Sequence, residues 1–463
     1  MAVHPTTDTI AAIATAPGTG GIGIIRISGP EALPLLHKLF VPRKPRRNFI
    51  SHTLYYGTVI NRDGQVLDEA LAVYMRPPHT YTREDVVELH CHGSSVVLQT
   101  ILRTIFEWGG RPAEPGEFTK RAFLAGRIDL TRAEAVLDLL QAQTEAGARL
   151  AANQLQGQLF EHLEAIRRQL IDFLALLEVA IDFPDDDVEI FNTAEATVQL
   201  QTMVIGPLER LIALAEQGKI VREGVKVVIA GRPNVGKSSL LNALLREERA
   251  LVTPLPGTTR DTIEERIAIR GIPVHLVDTA GIRMHEDPVE ALGIERARQK
   301  LEEADLILFL VDALAGMEPR DRALYDSIRE KKHLVVVNKR DLATDGQLEA
   351  LGREFPDMGV VMISAKTHQG IEELQDAVYR TIVAEKGKIT EQMTCAPNTR
   401  HSAVLIQTLA ACQRFEQAMT SGAPVDLLAV EVQSALDYLG DITGLTTPED
   451  VLDTVFSQFC IGK

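Results

Sequence analysis

The chain is expected to be a multidomain protein with three parts. These are an N-terminal α+β domain, a discontinuous all-α helical domain, and an α/β P-loop domain inserted into the helical one. Three observations predict this. Strand-like runs punctuated by glycine, proline and asparagine fill residues 9–93. Apolar residues stepping by three and four mark long amphipathic helices on both sides of the chain's middle. Between those blocks, β-branched runs alternate with helical stretches, the βαβ signature of a mostly parallel, doubly wound sheet.

At 463 residues the chain has room for about three domains at roughly 150 residues each. The expected boundaries are 1–122, 123–220, 221–384 and 385–463, with the second and fourth segments forming one helical domain. A net charge of −16, from 48 basic and 64 acidic residues, argues against wholesale coating of nucleic acid. It leaves room for a local basic site. One cluster exists, Arg43, Lys44, Arg46 and Arg47 around Pro45, and a solvated loop is its simpler reading. No apolar run reaches membrane-spanning length, and the N-terminus lacks a basic segment followed by an apolar one. The cysteines at 91, 395, 412 and 460 show no paired metal spacing, which suits a reducing cytoplasm.

In the first domain, strands are expected over 9–16, 23–28, 53–60, 70–75 and 86–90, followed by a helix over 95–108. Gly18-Thr19-Gly20-Gly21-Ile22-Gly23 matches the dinucleotide fingerprint, but that motif must open a helix. Strand-like Ile24, Ile25 and Ile27 follow instead, so a glycine turn between strands is the reading adopted. His90-Cys91-His92 places both histidines on one strand face and the cysteine on the other, and without further ligands it reads as structural or solvent-facing. In the helical blocks, Leu163, Ile166, Leu170, Phe173, Leu174 and Leu177 form one stripe, and Leu428, Val432, Leu436 and Leu439 another. The simplest way to cover both stripes is to pack the blocks together. Asp185-Asp186-Asp187 is not a calcium loop, because Ile190 and Ala196 stand where glycine and glutamate are needed.

The middle block expects strands at 225–230, 274–277, 306–311, 334–337 and 360–363. Directly after the first comes Gly231-Arg232-Pro233-Asn234-Val235-Gly236-Lys237-Ser238, a match to G-x-x-x-x-G-K-[ST]. Backbone N–H groups of such a loop and the helix it opens face phosphate oxygens. Asn234, Val235, Gly236, Lys237, Ser238 and Ser239 are the expected contacts, with Lys237 on the β- and γ-phosphates and Ser238 on Mg²⁺. Asn338-Lys339-Arg340-Asp341 selects the base: a carboxylate such as Asp341 accepts the paired donors of guanine and repels adenine. Ser364-Ala365-Lys366 would bring a backbone N–H to guanine O6. Each motif follows a strand, at the edge where open α/β sheets bind ligands. Asp278-Thr279-Ala280-Gly281 would hold Mg²⁺ through water and meet the γ-phosphate, and Thr259 in Gly257-Thr258-Thr259-Arg260-Asp261 would ligate Mg²⁺ only while that phosphate is present. Ile282 stands where many small GTPases carry a water-orienting glutamine. Charge stabilisation therefore falls to Arg260, Arg283, a partner or a cation.

The run Gly231–Leu245, then Pro-Gly-Thr-Thr-Arg-Asp, Asp-Thr-Ala-Gly-Ile-Arg, the 293–297 segment and the final Cys460-Ile461-Gly462-Lys463 resemble the MnmE (TrmE) family of tRNA-modification GTPases. The likeness extends to residues 21–29, 115–130 and 178–184. The resemblance implies that the N-terminal domain binds folate and dimerises. It implies GTP, Mg²⁺ and K⁺ as cofactors, with 5-formyl- or 5,10-methylene-tetrahydrofolate as carbon source. It also implies a homodimer that joins the FAD-dependent protein MnmG in a heterotetramer. Together they would add an aminomethyl or carboxymethylaminomethyl group at C5 of the tRNA wobble uridine. Asn234, Thr253, Leu255 and Thr258 match K⁺-binding positions, Thr253, Pro254, Leu255, Pro256, Gly257 and Thr258 flank the nucleotide, and Glu290 matches the residue that orients the attacking water. Arg26, Glu88 and Lys463 match folate contacts, and Arg127 replaces a family lysine at another. Cys460 is either a nucleophile or structural. A ribosome-assembly GTPase that switches on RNA is the competing reading, set back by the acidic balance and the C-terminal Cys-Ile-Gly-Lys.

Overall fold

A computed structural model describes residues 8–182, 192–247, 264–278, 299–355, 359–383 and 393–463. The chain divides into two compact units. One comprises Met1–Leu137, Leu155–Ile190 and Ala423–Lys463; the other comprises Asp138–Gln154 and Phe191–Gly422.

The first unit is built on a seven-stranded sheet of β1 (Ile10–Ile13), β2 (Gly20–Ser28), β3 (Phe40–Pro42), β4 (Thr53–Ile60), β5 (Val66–Met75), β6 (Val86–Gly93) and β7 (Arg111–Pro112), in the order β3-β4-β5-β6-β2-β1-β7. All neighbours are antiparallel except β1 and β7. Alternation along β6 sends Val87, Leu89 and Cys91 inward. There they meet Ile25 and Ile27 of β2, Leu35, Leu36 and Leu39 of the helix Ala32–Leu39, and Ile101 and Ile105 of the helix Ser95–Glu107. The opposite face of β6 carries Glu88, His90 and His92, so the period of two decides which residues leave the core. Only the start of the glycine run is the expected turn, with Gly18 at φ +130°; residues 20–23 already belong to β2, with a bulge between Gly20 and Gly23. Strands β3 and β7 and the helices Ala32–Leu39 and Glu117–Leu124 were not anticipated. In the helix Glu117–Leu124, the buried Arg121 is neutralised by Asp8, Glu84 and Glu117. The long helix Gln158–Asp182 buries Leu163, Ile166, Leu170, Phe173 and Leu177, and packs against Val425–Thr443.

The second unit carries a six-stranded sheet of β8 (Val225–Ala230), β9 (Glu264–Ile269), β10 (Ile272–Asp278), β11 (Leu306–Asp312), β12 (His333–Asn338) and β13 (Val360–Met362), ordered β13-β12-β11-β8-β10-β9. Five strands run parallel. β9 is an antiparallel edge that the sequence reading missed, joined to β10 by Arg270 and Gly271, both at positive φ. Strand β11 is buried at all seven positions, the continuous apolar run expected of a strand covered on both faces. Helix Gly206–Glu223, before the sheet, packs against Thr399–Thr420, after it. Helices preceding and following the α/β block thus pair in each unit: the helical domain is discontinuous and the block is an insertion. The two ends of the insertion are clamped by Arg222, whose Nη1 donates to the Ala396 carbonyl (2.8 Å) and Nη2 to that of Pro397 (2.7 Å). Among the described residues no helix is long and apolar enough to cross a membrane.

Candidate functional site

Strand β8 delivers the glycine loop to the C-terminal edge of the second sheet. Asn234 sits at φ +67° and Gly236 at +100°, the left-handed region that glycine enters freely and asparagine tolerates. Val235, 1% exposed, plugs the loop into the core. A Cβ on Gly236 would lie 2.3 Å from Asn338 Nδ2, so close approach as well as φ demands glycine there. The helix Lys237–Glu247 begins at the loop's end, with Ser238 and Ser239 exposed on its first turn. The Lys237 ammonium donates to the carbonyls of Gly231 (2.7 Å) and Arg232 (2.8 Å) and is held within its own loop.

Asn338, at the end of β12 and 2% exposed, joins the loops of this edge. Its Nδ2 donates to the Val235 carbonyl (2.8 Å), and its Oδ1 accepts from the Ala365 N–H (3.0 Å). The phosphate-type loop, the Asn-Lys-Arg-Asp turn and the Ser-Ala-Lys turn are therefore one hydrogen-bonded body. Lys339, left-handed at φ +66°, donates to Asp312 Oδ2 at 2.6 Å. Burial alone would push the Asp312 carboxyl up. The Lys339 ammonium and the N–H groups of Leu314 and Ala315 outweigh it and hold the carboxyl below its ordinary value. Asp341 is exposed in the turn Arg340–Leu342, and Ser364 Oγ accepts from the Thr367 N–H (3.2 Å). Asp278 ends β10 opposite Ile229.

Two residues of this site were missed. Asp312 closes β11 in register with Asn338; an aspartate ending a wholly apolar strand beside the base-selecting turn was its signal. Arg232 ion-pairs with Glu318 and with the fully buried Asp321, tying the loop to the helix Pro319–Ile328. No local pattern in the sequence announces that pair. Thr253, Pro254, Leu255, Pro256, Gly257, Thr258, Thr259, Thr279, Ala280, Gly281 and Glu290 lie outside the described residues.

A second constellation forms in the first unit. Arg26 of β2 stands directly opposite Glu88 of β6, and its Nε donates to Glu88 Oε1 at 2.9 Å. Its Nη1 reaches the Gly462 carbonyl at 3.5 Å. The guanidinium lies 5.7 Å from the ring centroids of both Tyr81 and Phe118, and that of Arg127 lies 4.7 Å from Tyr81. The C-terminal segment is docked by a Pro115–Ile461 bridge and by Phe118, whose N–H donates to the Lys463 carbonyl (3.2 Å). Arg26, Glu88, Arg127 and the backbone of Lys463, distant in sequence, are gathered around two aromatic rings. Tyr81 and Phe118 were not anticipated, because an isolated aromatic in a loop or helix carries no spacing signal.

His90 Nε2 lies 3.3 Å from the same Glu88, and exposed His92 pairs with Asp68 at 2.7 Å. Cys91 points to the core, where burial, helped by the Asp68 charge, pushes its thiol up to about 12. Cys460 is exposed. Among the described residues no group of three or more His, Cys, Asp or Glu is placed to hold a metal.

Comparison with known proteins follows the same division. A family model of the MnmE helical domain matches residues 130–460, and one of the GTP-binding protein TrmE N-terminus matches residues 9–127. The tRNA modification GTPase MnmE of Desulfotalea psychrophila is 50% identical over 460 residues, covering 98% of each chain. That of Carboxydothermus hydrogenoformans is 45% identical over 460 residues, covering 98% of this chain and 99% of its own. Among solved structures, the G domain of the T. maritima FeoB iron transporter is 28% identical, covers 34% of this chain and 98% of its own, and has a TM-score of 0.27. With half the residues identical along nearly the whole of both sequences, the chain belongs to the MnmE (TrmE) family of tRNA modification GTPases.

Proposed function

We propose that this chain is a K⁺-activated GTP hydrolase whose cycle serves modification of the tRNA wobble uridine, carried out as a homodimer with the FAD-dependent MnmG. Family membership supports GTP hydrolysis in the service of tRNA modification. The observation that carries the nucleotide assignment is Asn338, which bonds the glycine loop and the base-selecting turns into one cradle.

In this reading Lys237 leaves its carbonyl partners for the β- and γ-phosphates, and the exposed Asp341 carboxylate accepts the two donors of guanine. A backbone N–H of Ser364-Ala365-Lys366 meets guanine O6, that of Ala365 being held by Asn338 Oδ1 in the free chain. Ser238 and Thr259 would hold Mg²⁺ directly and Asp278 through water, and hydroxyl and carboxylate oxygens suit a hard cation. Asn234, Thr253, Leu255 and Thr258 would hold K⁺. When bound, the two cations supply positive charge against the phosphates. Glu290 orients the attacking water.

Arg26, Glu88, Arg127 and Lys463 form the proposed folate site. A carboxylate suits the N–H edge of a pterin, cations suit the glutamate tail, and the Tyr81 and Phe118 rings offer flat apolar contact. When bound, 5-formyl- or 5,10-methylene-tetrahydrofolate supplies the one-carbon unit. Nucleoside mass spectrometry of tRNA from cells with and without this chain tests the proposal. Loss of C5-substituted wobble uridine is expected, and an unchanged nucleoside profile refutes it. GTP turnover at equal rates in K⁺ and Na⁺ would remove the K⁺ assignment alone.

A further inference from the structure

We infer that the loop joining β3 to β4, with the cleft beside it, is an RNA-docking surface that seats the tRNA backbone. This rests on the tRNA reading above and assigns a place to the substrate. Its first support is charge. No acidic residue occurs between Glu31 and Asp63, although the chain holds 64, while Lys38, Arg43, Lys44, Arg46, Arg47 and Arg62 all lie in that interval. Its second support is the absence of internal neutralisation. Arg26, Arg111, Arg121, Arg132, Arg167, Arg232 and Arg270 are all ion-paired. Among the described residues, Arg43, Lys44, Arg46 and Arg47 are exposed and none has a carboxylate partner. In an acidic protein, four such cations on ten residues of loop are held for an external anion.

The loop is ordered, which favours recognition over a floppy charged tether. The Arg43 N–H donates to the Tyr56 carbonyl (3.0 Å), the Ile50 N–H to Tyr55 Oη (2.8 Å), and the Arg76 N–H to Ser51 Oγ (2.9 Å). Two of the guanidiniums lie over rings, Arg43 on Tyr56 and Arg46 on Tyr55, both at 5.7 Å. Guanidinium planes set in this way present N–H groups outward to phosphate oxygens and a flat face to bases. Beside them opens a cleft of about 660 Å³, lined by His37, Phe49, Ile50, Tyr74, Arg76 and Asp85. That volume falls within the range of about 300–1,000 Å³ typical of small-ligand sites, enough for an unstacked nucleotide. The carboxylates nearby are engaged: Asp85 accepts from Tyr74 Oη (2.5 Å), and Glu69 from Tyr56 Oη (2.8 Å). The solvated-loop reading of the cluster is therefore set aside.

The test is fluorescence anisotropy of labelled, unmodified tRNA with the full chain, over about 50–200 mM KCl. Four phosphate contacts contribute a salt slope near −3 at about 0.7 per contact, which is about a 50-fold loss of affinity across that range. The variant carrying Arg43→Gln, Lys44→Gln, Arg46→Gln and Arg47→Gln should lose that component, with GTP turnover unchanged. A companion with Arg43→Lys, Arg46→Lys and Arg47→Lys should keep it, because the contact is to charge. An unaltered slope in the glutamine variant overturns the inference, as does wild-type chain that binds no tRNA. Overturning also follows if the glutamine variant keeps tRNA binding but loses binding to phosphatidylglycerol vesicles. If the glutamine variant binds tRNA like wild type while wobble uridines still depend on the chain, the surface is wrong and the family function stands.

Discussion

The contact between Gly236 and Asn338 allows a quantitative test of the nucleotide cradle. Asn338→Ala deletes an amide that satisfies two backbone groups, the Val235 carbonyl and the Ala365 N–H. An unsatisfied buried group costs about 1–3 kcal/mol, so about 2 kcal/mol is the low end for the pair. In the folding equilibrium of the α/β block this is about a 30-fold loss, at 1.4 kcal/mol per factor of ten. Gly236→Ala pays twice: backbone strain of about 1–3 kcal/mol at φ +100°, and the steric demand of a Cβ placed 2.3 Å from Asn338 Nδ2. In the Asn338→Ala background the second contribution vanishes while the first remains. The double variant should therefore fold about 10-fold more favourably than the product of the single effects, a coupling of about 1.4 kcal/mol and within the range of contacting residues. The assay is urea unfolding of all four proteins of the cycle. If the single effects multiply to within about twofold, the two residues do not share the space described here.

Other outcomes are checked separately. The Asp312 carboxyl is held down in the folded state, so its contribution is present above the unfolded value, near about 4, and is lost as pH falls through the lower folded value. Lys339→Met should raise that carboxyl and move acid destabilisation of the α/β block to higher pH, as followed by nucleotide release on acid titration. Burial pushes the Cys91 and Cys412 thiols up to about 12 and that of Cys395 to about 11, while Cys460 is exposed. A thiol reagent at neutral pH should thus modify one cysteine of the folded chain rapidly; Cys460→Ser should abolish the fast phase, and a second fast thiol would contradict the burial. Glu88→Gln removes the charge that meets Arg26 and the proposed pterin edge. At about 1.5–3 kcal/mol for a hydrogen bond to a charged group, 5-formyltetrahydrofolate should bind about 10- to 100-fold more weakly by equilibrium dialysis.

What the sequence discloses is what lies close together along it. The glycine loop, the Asn-Lys-Arg-Asp turn and the strands before them are each written within about ten residues, and hydrophobic period alone places them on one sheet edge. The structure adds what is written at a distance. Asp312 shows in the sequence only as an aspartate ending an apolar strand, and its tie to the site comes through Lys339, 27 residues away; Arg232 is tied in only through Glu318 and Asp321. Strands β3 and β7 are too short to show a period, and β9 opens on two glutamates and an arginine, which reads as solvated chain. Edge strands are charged for a physical reason, since charge deters pairing with other sheets. The rings of Tyr81 and Phe118 needed coordinates, because nothing in their neighbourhoods says that Arg26 and Arg127 lie over them.

Arg222 has a consequence for how the nucleotide-binding block can move. Its two hydrogen bonds to Ala396 and Pro397 hold the incoming and outgoing strands of chain side by side. A load on the block therefore reaches the helices through this clamp and through Ile220, which the helix Gly206–Glu223 buries in the core of the sheet. The clamp also makes the block detachable. Bridging Arg222 to Ala396 with a short linker should leave the helices Gly206–Glu223 and Thr399–Thr420 paired as before, with the sheet and its cradle cleanly gone.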